Sequence, residues 1–304
     1  MKSLEFSVVF MGNGPVACKS LEFMHKWANI EFVITKQRPA HHKDPAPVEE
    51  YCKKNNLPFF YANNKQELDA CIELNKPVSV VGVVVDYGVI VSQKTINYFH
   101  KGIVNSHFSL LPNWRGADPI TYSILSGQAQ TGVSLMLIDA GLDTGPLLAS
   151  KKLPINGQDN IKLTNELIII SDALLKEYLP KYINNSLNPN AQNTETNIVT
   201  YSRMLNKSDG NIETNKPASV LVREIKAFKQ WPKSRLNYNG TTFIITEAVE
   251  SDINIEQGRL AKQSNGLFLG CKKSCLEITK LKPAGKNEMT ASAFINGYGH
   301  LINN

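Results

Sequence analysis

Val78-Ser79-Val80-Val81-Gly82-Val83-Val84-Val85 is the stretch on which the reading of the fold turns. Six of its eight residues are Val, and no polar residue alternates with them. A half-exposed strand would alternate, so this run predicts a central strand of a parallel sheet, buried on both faces. Toward the N-terminus, residues 6–11 (FSVVFM) and 30–35 read as further strands. Residues 15–27, 47–55 and 65–75 read as helices, the first with Pro15 near its opening turn. Toward the C-terminus, 102–106 and 132–138 are strand-like, a helix lies near 119–126 between them, and 161–183 is a closing helix. Strands alternating with helices predict an α/β fold with a doubly wound, mostly parallel, Rossmann-like sheet.

The pattern changes after this region. Residues 187–197 (LNPNAQNTETN) are polar and aperiodic and read as linker. Beyond them come a helix near 218–228 and short strands at 241–248, 258–262, 266–271 and 275–281, separated by Gly, Asn and Ser. Short strands at that spacing predict a small β-barrel. The expected organisation is therefore a first domain over 1–186, a linker over 187–204 and a second domain over 205–304.

Composition excludes several classes. A hydrophobic fraction of 42% with 20% charged residues is that of a globular chain, not a disordered one. No apolar run approaches the roughly 18 residues of a membrane span. The first residues carry no signal or transit pattern, which makes the cytoplasm of a bacterial-type cell the expected location. The five cysteines are scattered and expected to be reduced. Cys271 and Cys275 lack a second Cys/His pair, so no metal is expected. Residues 1–185 hold 18 basic against 17 acidic side chains, whereas the remaining 119 hold 15 against 10. Most of the net charge of +6 thus sits in the second domain, which points to a polyanionic partner there.

Gly12-Asn13-Gly14-Pro15-Val16-Ala17 fits the dinucleotide fingerprint G-x-G-x-x-A after the first strand. That reading also needs an acidic residue at the end of the second strand to hold ribose hydroxyls. The sequence there is Thr35-Lys36-Gln37-Arg38, so the glycines are expected to make a tight βα turn and no more.

The chemistry concentrates between Asn105 and Gly145. Asn105 and His107, two apart at a strand end, share one side of the sheet. Asp143 follows the next strand, between Gly141 and Gly145. Ligands of open α/β sheets bind beyond the carboxyl ends of the strands, where Asn105 and His107 fall. An amide, an imidazole and a carboxylate in one crevice suit acyl transfer to an amine. The amide and a protonated imidazole would stabilise the oxyanion, and the carboxylate would keep the imidazole charged and relay the amine's proton.

Asn105-Ser106-His107-Phe108-Ser109-Leu110-Leu111-Pro112 and Leu142-Asp143-Thr144-Gly145, with 38 positions from Asn105 to Asp143, resemble the signature of the folate-dependent formyltransferases. The resemblance implies that Asn105, His107 and Asp143 are catalytic. It also implies that Ser109, Leu110, Leu111 and Pro112 contribute to binding 10-formyltetrahydrofolate. Trp114-Arg115-Gly116-Ala117, Asp139 to Gly145, Ala227-Phe228 with Trp231-Pro232, and Pro283-Ala284-Gly285-Lys286 are similar to the methionyl-tRNA formyltransferase family over essentially the whole chain. That family implies an OB-like C-terminal barrel, methionyl-initiator tRNA as acceptor and a monomer. Arg38 and Lys43 are implied tRNA contacts, on a loop after the second strand that is shorter and less basic than is usual in the family. Phe108, Asp118, Thr214 and Asp86 also depart from its usual pattern. Lys226, Lys229, Lys233 and Arg235, with Lys272, Lys273, Lys280, Lys282 and Lys286, are further expected tRNA contacts. The alternatives are a sugar-nucleotide N-formyltransferase, a non-catalytic RNA-binding protein and a nicotinamide oxidoreductase. Trp114 to Ala117 with the basic second domain, the intact trio, and the missing acid after the second strand speak against these in turn.

Overall fold

A computed structural model describes residues 6–38, 46–196 and 198–302, which form two compact units. In chain order the first part of the sequence supplies β1 (Ser7–Gly12), α1 (Gly14–Met24), β2 (Asn29–Thr35), α2 (Pro47–Asn55), β3 (Phe59–Tyr61), α3 (Lys65–Asn75) and β4 (Val81–Val85). There follow α4 (Gln93–Tyr98), β5 (Ile103–His107), β6 (Arg115–Gly116), α5 (Pro119–Leu125), β7 (Gln130–Leu137), β8 (Leu147–Pro154), α6 (Asn160–Ile183) and β9 (Tyr201–Ser202). The main sheet of the first unit has the order β3-β2-β1-β4-β5-β7-β8. It is parallel from β3 through β5 and antiparallel at β7 and β8.

β4 is the valine run, and all five of its residues are buried. The strand starts three residues later than the sequence suggests. The Glu31 carboxylate accepts from the backbone N–H groups of Val78 and Ser79 at 2.9 and 2.8 Å, so these donors leave the ladder. The strand order reverses between β1 and β4, which opens a crevice at their carboxyl ends. Gly12-Asn13-Gly14 closes a tight turn there: Asn13 N–H donates to the Asp86 carbonyl at 3.0 Å, and a side chain at Gly12 would collide with Ala17 and the Val85 carbonyl. β8 was not anticipated, because Leu147-Leu148-Ala149-Ser150-Lys151-Lys152 lacks clean alternation. Its pairing with β7 defines it.

The segment read as linker is fastened to the first unit. Leu147 and Asn190 exchange both backbone hydrogen bonds at 2.7 and 2.8 Å, and β9 pairs with β6. Single side chains and short bridges do this work, and they leave no periodicity in a sequence.

The second unit includes α7 (Ala218–Ala227), β10 (Ser234–Tyr238), β11 (Thr241–Ser251), β12 (Leu260–Gln263), β13 (Gly266–Gly270), β14 (Cys275–Pro283), β15 (Met289–Thr290) and α8 (Ala291–Tyr298). Its antiparallel sheet runs β10-β11-β14-β13-β12, with β15 on β14. α7 buries Ala218, Leu221 and Ile225, one stripe at helical spacing. Phe243 of β11 meets Phe294 of α8 edge-on, ring centroids 5.3 Å apart, in the core of this unit. The sequence pattern missed α8, which the Thr290 hydroxyl caps by accepting from Ala293 N–H.

Candidate active site

β5 ends at His107, and its two neighbours fix which way its side chains face. Ser106 bonds Ser171 of α6 through their hydroxyls at 2.6 Å. Asn105 and His107 therefore face the other side of the sheet, toward the crevice. Asn105 pairs with Val84 of β4, two residues before Asp86, so the crevice at the strand reversal continues onto β5. The Asn105 side chain is half-buried and makes no hydrogen bond among the described residues, which leaves its amide available.

His107 is buried, at 6% exposure. Its Nε2 lies 3.0 Å from the Trp114 carbonyl oxygen; a carbonyl only accepts, so Nε2 carries a proton and donates. Its Nδ1 lies 3.7 Å from Asp143 Oδ2, within ion-pair range and beyond a hydrogen bond. That same oxygen accepts from Gly116 N–H at 2.7 Å. Asn105, His107 and Asp143 thus belong to one face of the first unit, with His107 and Asp143 side by side.

The turn that presents Asp143 is braced from within and from without. Asp143 has φ 51°, a left-handed conformation that a residue with a side chain adopts at a cost. Asp139 Oδ1 accepts from Gly141 N–H at 3.1 Å and from the Thr144 hydroxyl at 2.7 Å. A side chain at Gly145 would collide with the Leu137 carbonyl, so glycine is required there by close approach. On the outer side, Gln192 Nε2 donates to the carbonyls of Asp143 and Gly145 at 2.8 and 2.9 Å. Gln192 Oε1 accepts from Arg115 Nη2 at 2.7 Å. Reasoning from sequence missed Gln192 because it sits in the aperiodic segment.

Ser109 and Leu111 hold the loop that follows Phe108. Ser109 is fully buried, donates its hydroxyl to the Asn113 carbonyl and accepts at its own carbonyl from Ser134 Oγ. Leu111 N–H also donates to Ser134 Oγ, at 3.0 Å. Leu110 is half-buried and Leu111 buried. Arg38 is exposed, and its charge acts on Glu49 of α2. Lys43 lies outside the described residues.

Asp86, with φ 48°, stands on the floor of the crevice. It is open to solvent yet walled by protein on most sides, and the crowding outweighs the exposure. Burial first, then the neighbouring Asp118 carboxylate, push its carboxyl up to about 7, while Lys36 pulls the other way. In the second unit, two of the expected tRNA-contact cations are engaged internally. Lys229 faces Asp159 and Glu247 at 3.8 and 3.6 Å, and Lys280 meets Glu247 at 3.1 Å.

Two family profiles match the chain: formyl transferase over residues 8–175, and formyl transferase C-terminal domain over residues 204–299. A methionyl-tRNA formyltransferase of Myxococcus xanthus is 31% identical over 297 residues, covering 96% of this chain and 95% of that protein. One from Thermodesulfovibrio yellowstonii is 36% identical over 218 residues, covering 71% and 69%. Among solved structures, the N-formyltransferase of Helicobacter canadensis in complex with folinic acid and dTDP-3-aminofucose superposes with a TM-score of 0.66. It is 20% identical and covers 89% of this chain and 98% of its own, a likeness of fold. With profiles matching both parts of the chain and relatives this similar along nearly its full length, the protein belongs to the formyl transferase family.

Proposed function

We propose that this enzyme transfers the formyl group of 10-formyltetrahydrofolate to the α-amino group of methionyl-initiator tRNA. One observation carries the reading: His107 and Asp143 stand together at the end of the strand that presents Asn105, whose amide is unbonded among the described residues, in a chain whose relatives from Myxococcus xanthus and Thermodesulfovibrio yellowstonii share one name. In the proposed reaction the neutral amine attacks the formyl carbon. The Asn105 amide and the His107 imidazolium donate to the resulting oxyanion, with Asp143 opposite Nδ1 to balance the charge. Collapse of the intermediate breaks the bond to the folate nitrogen, which takes the proton that the amine gives up. His107 must release the Trp114 carbonyl for Nε2 to serve as that donor. Ser109, Leu110, Leu111 and Pro112 would form the wall against the folate. With the Ser109 hydroxyl already engaged, that wall works through backbone and apolar surface.

The finer organisation belongs to the same proposal. Residues 1–186 act as the catalytic domain, and 205–304 as an OB-like barrel that grips tRNA through Lys226, Lys233, Lys282 and neighbouring cations, with Arg38 and Lys43 reaching the acceptor. The enzyme works as a cytoplasmic monomer. No helix among the described residues is long and apolar enough to cross a membrane. A sugar-nucleotide amine is the second candidate acceptor, favoured by the likeness to the dTDP-3-aminofucose complex. The test is a competition for formyl from 10-formyltetrahydrofolate between charged initiator tRNA and dTDP-amino sugars. Formyl should appear on methionyl-tRNA. Formylation of the sugar alone would overturn the reading.

A further inference from the structure

We infer that Gln192 is a positioning residue for the reaction, fixing the Asp143 turn with Arg115 behind it. All three hydrogen bonds of the Gln192 amide that matter are made at once, two from Nε2 to the carbonyls of Asp143 and Gly145, and one to Oε1 from Arg115. The chemistry of the neighbours dictates the amide's orientation. A flipped amide would set its oxygen against two carbonyl oxygens and its NH2 against a guanidinium that can only donate. Arg115 is 7% exposed and makes no ion pair among the described residues, so its charge is spent on this chain of dipoles. A cation at one end and two carbonyls at the other polarise the amide in the same sense, which strengthens each bond. Arg115 is itself held, because its backbone N–H donates to the Thr200 carbonyl at 2.9 Å and its strand pairs with β9.

The consequence concerns geometry more than cohesion. Asp143 is in a left-handed conformation, and the Asp139 bonds brace only the inner side of its turn. Without Gln192 the two carbonyls are free to rotate, and the carboxylate drifts from His107. A displacement of about 1 Å at a reacting centre costs on the order of 10²-fold in rate.

Gln192→Leu and Gln192→Glu separate positioning from mere support. The glutamate keeps an acceptor toward Arg115, as an ion pair, but presents oxygen to both carbonyls. It should therefore hold the wild-type melting temperature better than the leucine variant while losing as much turnover. Both variants should lower kcat by 10-fold or more, with the folate KM within about twofold of wild type. The inference rests on Asp143 being catalytic, so Asp143→Asn is assayed alongside. If Asp143→Asn abolishes turnover and both Gln192 variants keep wild-type kcat, the positioning role is wrong and the catalytic reading stands. If Asp143→Asn is active, both fall. If the activity of the two Gln192 variants merely tracks their folded fraction, Gln192 is structural only and the inference is overturned.

Discussion

Asp86 and Asp143 invite comparison. Each lies in a turn that follows a strand of the main sheet, Asp86 after β4 and Asp143 after the antiparallel β7, and each takes a left-handed backbone, φ 48° and φ 51°. Their side chains have opposite company. Asp143 accepts from Gly116 N–H and faces the His107 ring, whereas the Asp86 carboxyl has no hydrogen bond among the described residues and faces Asp118. At Asp86, crowding and a like charge favour the neutral acid. Residue type and backbone are therefore shared, and only the neighbours assign the roles.

The largest effects are expected at the two residues proposed to be catalytic, His107 and Asp143. His107→Ala should lower kcat by about 10² or more under saturating folate, since loss of one oxyanion donor typically costs that much, and Asp143→Asn should lower it too by leaving the His107 ring without its facing charge. Asp86→Asn should leave most turnover intact; an equal loss there would erase the distinction between the two aspartates. Next comes the glycine that admits the Asp143 turn. Gly145→Ala, colliding with the Leu137 carbonyl, should cost about 1–3 kcal/mol in chemical denaturation and reduce activity with it.

Asp86 offers a pH test of the other side. Its folded value near 7 lies above the ordinary carboxyl value of about 3.9. The raised value means the folded state holds a proton that the unfolded state has already lost. This contribution is fully present below about pH 4 and is lost as pH rises toward and through 7. Melting temperature should therefore carry a downward component between those limits, and Asp86→Asn should remove it. A variant melting with the wild-type pH dependence would show that the crevice floor is not crowded as described. The smallest effect is expected at Arg38, which is exposed after β2. Arg38→Ala should raise the KM for tRNA a fewfold and reduce the salt slope by about one contact, with kcat unchanged. No change in that slope would remove Arg38 from the acceptor's path.

The main sheet and the nearness of His107 to Asp143 were legible in the sequence because each leaves a local mark. A buried parallel strand is a run of β-branched residues, as at Val81 to Val85, and a strand-end Asn-x-His with a Gly-flanked Asp is a short motif. The bracing was not legible. Gln192 reaches back to Asp143, Gly145 and Arg115, and Thr200 to Trp114 and Arg115, through single polar contacts that nothing in the order of residues announces. Glu31, which halts the valine strand short of Val80, is another such contact. At Ser109 the motif was legible but the engagement of its hydroxyl with the Asn113 carbonyl was not.

The return of residues 190–202 onto Leu147, Asp143 and Arg115 also sets an order of events during synthesis. Asp143 leaves the ribosome well before the residues that steady it. At about 5–20 residues per second, the 59 positions from Asp143 to Ser202 take roughly 3–12 seconds, and the exit tunnel delays them further. The sheet from β1 to β8 can assemble in that interval, but its reactive corner cannot be completed until Ser202 is out. A nascent chain released at residue 186 would carry Asn105, His107 and Asp143 but lack Gln192 and its bonds to the Asp143 turn.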